Sequence, residues 1–371
     1  MVVSAVMSNV MSKVNPLYLI IQPNDWETSR CLCKAGFQEL PVLPQLFYRS
    51  IDSRNEVASI FLNISQALSE ISQAGSRFFI ARSLCDLPSL LVDFLKAQPI
   101  LTITKAVKYS WFFHVLSKQR IFFKYQPIFD LASGEAIAYE CLARAKDDGK
   151  ADFNGYQLIE AAMSTQLACE FDELARTICL DSIAATKSNQ KFFINILPNA
   201  IIRDANSLDQ NLKQILDLGL QPEQIIFELT EVEALLRCPR LLQNINRLRE
   251  WGFGIAVDDL CACASTDNYF MEFCPDIIKI DKRLVHGCSQ HALKQVMLTS
   301  LVDSAHNFGI KVVTEGLEDI EDIEFCRELG ADYGQGFGLA MPEITLQQQR
   351  LDLVNLPLSL LSYTDSYNYT H

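Results

Sequence analysis

The sequence has no apolar run close to the roughly 18 residues that a membrane-spanning helix needs, because "NPLYLIIQP" and "WFFHVL" are both too short. It also lacks an excess of basic side chains, with 32 Lys and Arg against 45 Asp and Glu and a net charge of −13. That balance disfavours a general surface for nucleic-acid polymers or anionic membranes. No cationic segment followed by a cleavage-like site stands at its start, so the 12 cysteines do not predict a secreted disulfide framework. We expect a folded protein in the reducing cytoplasm.

Length and composition favour two domains of ordinary size, because the 371 residues are 49% hydrophobic. Residues 1–105 combine short apolar runs such as "LYLIIQ" and "RFFIAR" with the amphipathic stretch "EVASIFLNISQALSEIS", which predicts a small regulatory or sensory α/β domain. Its sequence leaves open a sensor, a partner-docking surface or a dimerisation aid. Residues 106–121 are predicted as a connecting helix, residues 122–345 as the second domain, and residues 346–371 as a C-terminal helix and tail.

The second domain repeats one pattern, a short apolar run that ends in a polar residue and is followed by a longer amphipathic stretch. The runs are "AIAYE", "FFIN", "IIFE", "IAVDD", "IIK" and "VVTE". Such alternation predicts parallel strands joined by helices. With "FFKYQPIFDL" before them and "YGQGFGLA" after, the strands number eight, which favours a (β/α)8 barrel over a doubly wound open sheet. Only "ASGE" separates the first two strands, so we expect an antiparallel hairpin there.

Polar side chains stand at the carboxyl ends of these predicted strands, where a barrel gathers them at one mouth. They are Glu140, Asn195, Glu228, Asp258, Asp259, Lys279 and Glu315. Oxygen ligands suit Mg²⁺, Mn²⁺ or Ca²⁺, and several close carboxylates need cation charge between them. Two ions ~3.5–4 Å apart would activate water against a phosphodiester, and Lys279 could orient that nucleophile. Each residue alone is more often a solvated, capping or ion-paired side chain, so the joint pattern carries the prediction.

The motifs resemble those of the EAL domain family, bacterial phosphodiesterases that act on the second messenger cyclic di-GMP. "YQPIFDLASGEAIAYECLAR" resembles the opening of that domain, with Glu140-Cys141-Leu142 in place of Glu-Ala-Leu. The segments "FFINILP", "FELTEVEAL", "VDDL", "IKIDKRLV", "VVTEGLED" and "QGFGLAMP" resemble its later motifs in the same order. The resemblance therefore covers residues 120–345, and it implies a TIM-like barrel with an antiparallel first strand.

The resemblance also implies an activity and a set of site residues. The activity is metal-dependent hydrolysis of cyclic di-GMP to linear pGpG with two Mg²⁺ or Mn²⁺ ions, Ca²⁺ being inhibitory. The implied metal ligands are Glu140, Asn195, Glu228, Asp258 and Asp259. Catalytic roles are implied for Lys279, Glu315, Glu140 and Asp259, substrate contacts for Arg144, Gln335 and Glu318, and supporting roles for Asp281 and the loop anchor Glu231. A homodimer through the EAL domain is implied as well.

The loop after the paired aspartates departs from the family, because Cys261 and Cys263 stand where two glycines are usual. A Cβ at a glycine position with positive φ costs about 1 kcal/mol or more, so we expect this loop to follow a different path. Zinc binding or a redox pair is an alternative for the two cysteines. However, no His lies in the preceding 100 residues and the spacing is not Cys-x-x-Cys, so small apolar cysteines are favoured.

Three functions are compatible with this departure. The favoured one is a working phosphodiesterase regulated by the N-terminal domain. The alternatives are a receptor that binds cyclic di-GMP but turns it over poorly, and a protein-interaction module.

Overall fold

The computed structural model of the protein divides into two compact units, Met1–Ser117 with Glu160–Leu167, and Lys118–Ile159 with Ala168–His371. The residues described are 17–51, 54–146, 152–198, 202, 205–229, 238–260, 274–346 and 350–351. Most of the predicted C-terminal helix and tail, residues 346–371, lies outside them. Within the described ranges, no helix combines the length and apolar character that crossing a membrane requires.

The first unit is an antiparallel sheet covered by helices. Its strands are β1 (Leu17–Gln22), β2 (Gln38–Leu40), β3 (Leu43–Ile51), β4 (Arg77–Ala81) and β5 (Gln98–Pro99), in the order β2-β3-β1-β4-β5. Its helices are α1 (Trp26–Lys34), α2 (Arg54–Ala67), α3 (Glu70–Gly75), α4 (Leu87–Phe94), α5 (Ile100–Lys108) and α6 (Ser110–Ser117). Neighbouring strands are all antiparallel. This arrangement confirms the predicted small α/β domain.

Strand β1 lies at the centre of this sheet because apolar side chains on both of its faces are buried. Leu19 and Ile21 pack in a cluster with the helix residues Phe61 and Ile64, while Ile20 packs with Phe79 on the opposite face. A continuous apolar run is the pattern expected of a strand that is covered on both sides.

Two stretches that the sequence predicts as single helices are each broken. The stretch "EVASIFLNISQALSEIS" contains most of α2 and the first half of α3, because the Ser69 side chain accepts a hydrogen bond from the Ser72 N–H and starts a new helix. Residues 106–121 contain the end of α5 and all of α6, which are separated at Tyr109. Ile121 already begins a strand of the second unit.

The second unit is a closed barrel. Its eight barrel strands are β6 (Ile121–Asp130), β7 (Ala136–Lys146), β9 (Lys191–Ile196), β10 (Ile225–Leu229), β11 (Gly254–Leu260), β12 (Ile277–Ile280), β13 (Lys311–Thr314) and β14 (Tyr333–Gly334), and β8 (Asp152–Phe153) pairs outside β7. Strand β6 is antiparallel to both β7 and β14, and the other neighbouring barrel strands are parallel. The β6–β7 pairing closes the sheet, which confirms the barrel with an antiparallel first strand and excludes the open sheet.

Helices alternate with the parallel strands, as the sequence predicts. They are α7 (Gly155–Ser164), α8 (Ala168–Thr186), α9 (Ala205–Asp217), α10 (Pro239–Glu250), α11 (Lys282–Val285), α12 (Ala292–Asn307) and α13 (Ile320–Glu328). The end of α7 belongs to the first unit rather than to the barrel, although the sequence places it in residues 122–345. The β6–β7 hairpin is held by Asp130, whose carboxylate accepts hydrogen bonds from the N–H groups of Ala132 and Ser133.

The barrel interior contains an apolar cluster to which seven successive strands each contribute one buried side chain. These are Ile128, Ala138, Phe193, Ile226, Ala256, Ile277 and Val313, and Tyr333 of the eighth strand packs against them. Side chains in a strand alternate between its two faces, so the residue two positions along points into the barrel as well. The cluster therefore fixes which residues face the mouth.

Candidate active site

One polar side chain from each barrel strand or strand end forms a set that we call the polar ring. Its members are Gln126, Glu140, Asn195, Glu228, Asp258, Lys279, Glu315 and Gln335. Each stands two positions from a member of the apolar cluster or from Tyr333, toward the carboxyl ends of the parallel strands. The sequence predicts all of these site residues except Gln126. Gln126 pairs with Glu140 across β6 and β7, but a register shift between Ile128 and Phe129 means that a regular count back from "ASGE" would have placed Tyr139 opposite it.

Lys279 is the hub of the polar ring and is fully buried. Its Nζ lies 3.2 Å from Glu140 Oε2, 2.6 Å from Glu315 Oε1 and 3.8 Å from Asp258 Oδ1, and it also donates to Glu228 Oε1. A buried ammonium group needs such partners, since an unpaired charge is strongly disfavoured there. Lys279 therefore organises four carboxylates around a single cation.

Amide side chains complete the surroundings of Glu140. Gln335 Nε2 lies 2.6 Å from Glu140 Oε2 and 3.3 Å from Gln126 Oε1. Asn195 Nδ2 lies 3.5 Å from Glu140 Oε1, and Gln126 Nε2 donates to the carbonyl of Ala340 at 3.3 Å. Both oxygens of Glu140 thus face donors from other strands or strand ends of the barrel.

The pKa values of the buried carboxyl groups diverge. Burial raises the pKa of Glu228 well above its usual range, with Lys279 opposing the rise and the nearby carboxylates adding to it. Burial likewise raises the pKa of Glu315 to about 8, against the effect of Lys279. Burial also disfavours ionised Glu140, but Lys279 and the hydrogen bond from Gln335 outweigh it and lower its pKa. The mouth therefore contains a stable carboxylate beside groups that hold a proton near neutral pH.

The paired aspartates do not alternate between the faces of β11 as regular strand residues would. The register of β11 against β12 shifts between Val257 and Leu260, and Asp259 has a φ of 54°. Such a bulge redirects the side chains that it carries. As a result, one oxygen each from Asp258, Asp259 and Glu315 lies within 4.8 Å of the others. Both aspartates therefore reach the mouth.

Asp281 supports the second of these aspartates. It caps α11, accepting hydrogen bonds from Arg283 N at 2.6 Å and Arg283 Nε at 2.9 Å. Burial, the Asp258 charge and a hydrogen bond to Asp281 raise the pKa of Asp259 to about 6. Asp281 thus contacts the predicted ligand Asp259, and its supporting role stays a prediction.

The donor set fits divalent cations. Glu228 Oε2 and Asp258 Oδ1 are buried and accept no hydrogen bond from any described residue. Two oxygen clusters lie within bonding reach of an ion, one from Glu140, Glu228 and Glu315 and one from Asp258, Asp259 and Glu315. Buried oxygens without donors among several carboxylates are what a hard cation would satisfy.

The remaining predicted residues have different surroundings. Arg144 is half-buried on β7, where Nη1 donates to the Ala143 carbonyl at 2.8 Å, and burial lowers its pKa. Glu318 is exposed on the loop after β13. Glu231, Cys261 and Cys263 lie outside the described residues.

Two glycines in "QGFG" bring the loop after β13 against the chain that follows β14. A Cβ on Gly336 would lie 2.1 Å from the Leu317 carbonyl oxygen, and one on Gly338 would lie 2.2 Å from that of Glu318. The close approach is fixed by hydrogen bonds from Leu317 N to Gln335 O at 3.1 Å and from Gly338 N to Leu317 O at 2.9 Å. Glycine at these positions therefore places Gln335 beside the loop that carries Glu318.

The sequence profile of the EAL domain matches residues 111–342, more than half of the chain. The chain belongs to the EAL domain family. Among curated relatives, it is 28% identical over 262 residues to the probable cyclic di-GMP phosphodiesterase PdeB of Escherichia coli, covering 68% of this chain and 49% of PdeB. The curated relatives are longer, and the chain spans 27% to 52% of several others.

Solved structures share the fold of this EAL domain at low sequence identity. The EAL domain of FimX from Xanthomonas citri, in complex with c-diGMP, has a TM-score of 0.60 and 15% identity and covers 65% of this chain and 96% of that chain. YkuI from Bacillus subtilis, solved with substrate c-di-GMP and calcium, has a TM-score of 0.55 and 23% identity and covers 64% of this chain and 59% of that chain. These likenesses confirm the barrel.

Proposed function

We propose that the EAL domain of this chain hydrolyses cyclic di-GMP to linear pGpG. The observation that carries the proposal is the polar ring, in which Lys279 gathers four carboxylates at the mouth of the barrel. The name of PdeB supports the choice of reaction, and the ligands bound to FimX and YkuI support the choice of substrate.

Two divalent ions, Mg²⁺ or Mn²⁺, are part of the proposal. Their ligands would be Glu140, Asn195, Glu228, Asp258 and Asp259. When bound, such ions polarise the phosphodiester and make water a better nucleophile at neutral pH. We expect Ca²⁺ to support binding but to inhibit turnover.

The side chains of the ring would handle the water and the charge. Lys279 orients the attacking water and offsets negative charge that develops on the phosphate oxygens. Cation charge beside Glu315 would favour its ionised form, and the ionised carboxylate would accept the proton that the water loses. Arg144 contacts substrate phosphate, and Gln335 and Glu318 contact the substrate as well.

Turnover of cyclic di-GMP by the full chain tests the proposal. We expect pGpG with Mg²⁺ or Mn²⁺, none after chelation, and none with Glu140→Ala. Lys213→Ala, which changes an exposed lysine on α9, is the matched control and should keep full activity. Absence of pGpG with every metal, while a control enzyme is active in the same assay, would refute the proposal.

A receptor with little turnover is the second candidate, favoured by Cys261 and Cys263 in place of two glycines. A receptor would bind cyclic di-GMP in calorimetry with Ca²⁺ present and release no pGpG with Mg²⁺ or Mn²⁺. A protein-interaction module would show neither binding nor turnover.

A homodimer through the EAL domain, regulation by the N-terminal unit and a cytoplasmic location complete the proposal. Light scattering of the full chain and of a truncated chain starting near Lys105 tests the first. Turnover by the same two proteins tests the second, because equal rates would leave the N-terminal unit without a regulatory role.

A further inference from the structure

A buried polar network lies beside the strand that carries Asn195. Asp172 and Arg176 form an ion pair on α8, with Asp172 6% and Arg176 1% exposed. Arg176 Nε also donates to Asn211 Oδ1 on α9 at 2.6 Å. The other oxygen of Asp172, Oδ1, accepts the Leu197 N–H at 2.9 Å. The network thus joins two helices to the chain just after β9.

Asn195 differs from its neighbours in the polar ring in how it is held. Glu140 and Glu228 are buried and bonded to Lys279, whereas Asn195 is exposed and, among the described residues, its amide has one long contact, 3.5 Å, with Glu140. The described part of the chain therefore does not fix its side chain by packing. The position of the Asn195 side chain therefore depends on the backbone at the end of β9. Asp172 accepts a hydrogen bond from that backbone two residues further on, at Leu197.

A buried ion pair is weak evidence for a role in stability alone. Replacing such a pair with apolar side chains of similar volume is often neutral for folding, because desolvation of the two charges offsets their attraction. What an apolar pair would not supply is an acceptor for the Leu197 N–H.

We propose that Asp172 is a positioning residue for metal binding. Through its hydrogen bond to Leu197 N, it holds the end of β9 so that the Asn195 amide oxygen can serve as a ligand, and Arg176 and Asn211 hold Asp172. This inference rests on the proposed function, which makes Asn195 a ligand. It assigns a role to residues that contact neither metal nor substrate.

Two double variants separate the loss of the side-chain acceptor for Leu197 N from the loss of the two charges. Asp172→Asn with Arg176→Met removes both charges and keeps a side-chain oxygen for Leu197 N. Asp172→Leu with Arg176→Met removes the charges and the acceptor together. Gln214→Leu is the matched control, because Gln214 Nε2 bonds to Thr177 O and Asp181 Oδ1 on the same pair of helices, at 2.9 Å each, without reaching β9.

The readout is Mn²⁺ affinity of the full chain, measured from the electron paramagnetic resonance signal of free Mn²⁺, with thermal unfolding in parallel. We expect about a tenfold loss of affinity in the Leu double variant, the size typical for a lost partner behind a metal ligand. The Asn double variant and Gln214→Leu should bind as the unmodified chain does, and the two double variants should unfold at similar temperatures. Equal Mn²⁺ affinities in the two double variants would overturn the inference.

An Asn195→Ala variant separates this inference from the proposed function. If it binds Mn²⁺ as tightly as the unmodified chain, Asn195 is not a ligand, and both its proposed ligand role and the positioning role of Asp172 fail. If its affinity falls while that of the Leu double variant does not, only the positioning role fails. Should the double variants not fold, Asp172→Asn alone keeps the acceptor and must keep the affinity, and a tenfold loss in it would refute the role.

Discussion

Replacing Lys279 with methionine should destabilise the metal-free protein, and divalent ions should restore much of the loss. Lys279 is the one cation among the described side chains that contacts Glu140, Glu228, Asp258 and Glu315. Lys279→Met keeps a flexible side chain of similar length and removes the charge. Four carboxyl groups would then face one another without a cation in the absence of metal.

The size of the effect follows from burial. Removing one partner of a buried ion pair costs about 3–5 kcal/mol. Each kcal/mol shifts the unfolding temperature of a unit of this size by roughly 2–4 °C, so the range is about 6–20 °C. Because the pKa of Glu315 is already about 8, proton uptake offsets part of the loss near pH 7. We therefore expect a drop in the lower part of that range at pH 7 and a larger one above pH 8, where Glu315 ionises in the chain that keeps Lys279 and is stabilised by it.

Thermal unfolding in a chelator and in millimolar Mn²⁺ measures both effects. The increase in unfolding temperature on adding Mn²⁺ should be larger for Lys279→Met than for the unmodified chain, while turnover of cyclic di-GMP falls by about 10² or more. Lys213→Met, at an exposed position on α9, controls for the loss of a lysine. Equal unfolding temperatures of Lys279→Met and the unmodified chain in chelator would refute the assignment of Lys279 as the hub.

Two further changes test the packing around the mouth and at the opposite end of the barrel. Gly336→Ala should cost about 1–3 kcal/mol in thermal unfolding, because the added Cβ meets the Leu317 carbonyl. Gly155→Ala, whose Cβ would make only ordinary contacts, should cost far less, and equal losses would contradict the close approach. Burial opposes ionisation of Asp332, but Lys311 and other donors lower its pKa. The Asp332 carboxylate therefore contributes to the free energy of unfolding above about pH 4, and this contribution is lost as the pH falls below that value. Urea unfolding should show that the unmodified chain is more stable than Asp332→Asn at pH 7, and the difference in the free energy of unfolding should become smaller below pH 4. A difference independent of pH would contradict the stabilising role of the Asp332 carboxylate.

The barrel could be predicted from the sequence because its determinants are local. An apolar run such as "IIFE" ends in a polar residue in each unit, and "ASGE" is too short for anything but a hairpin, which the β6–β7 pairing confirms. The same reasoning located Glu228 and Lys279, whose inward direction follows from the two-residue period of a strand. The sequence reasoning did not predict which side chains Glu228 and Lys279 contact, because contacts across the barrel depend on the registers of several strands at once.

The bulge at Asp258 and Asp259 was beyond prediction for a similar reason. A regular strand would have turned one of the two aspartates away from the mouth, whereas β11 shifts register against β12 and one oxygen each from Asp258, Asp259 and Glu315 lies within 4.8 Å of the others. The break at Ser69 was missed because capping by a single side chain competes with the apolar period of a helix. In each case a tertiary or capping contact overrides a periodic pattern.

The position of the bulge also sharpens what Cys261 and Cys263 can affect. Asp259 has positive φ, which a non-glycine residue adopts at a cost of about 1–2 kcal/mol. Asp259 also contacts Asp281, and this contact involves neither cysteine. If this contact is enough to place Asp258 and Asp259 at the mouth, the double variant Cys261→Gly with Cys263→Gly should raise the turnover of cyclic di-GMP and leave the Mn²⁺ affinity unchanged. A parallel rise in turnover and in Mn²⁺ affinity would instead mean that the cysteines affect the placement of Asp258 and Asp259. The register shift in β11 would then depend on the loop that follows it.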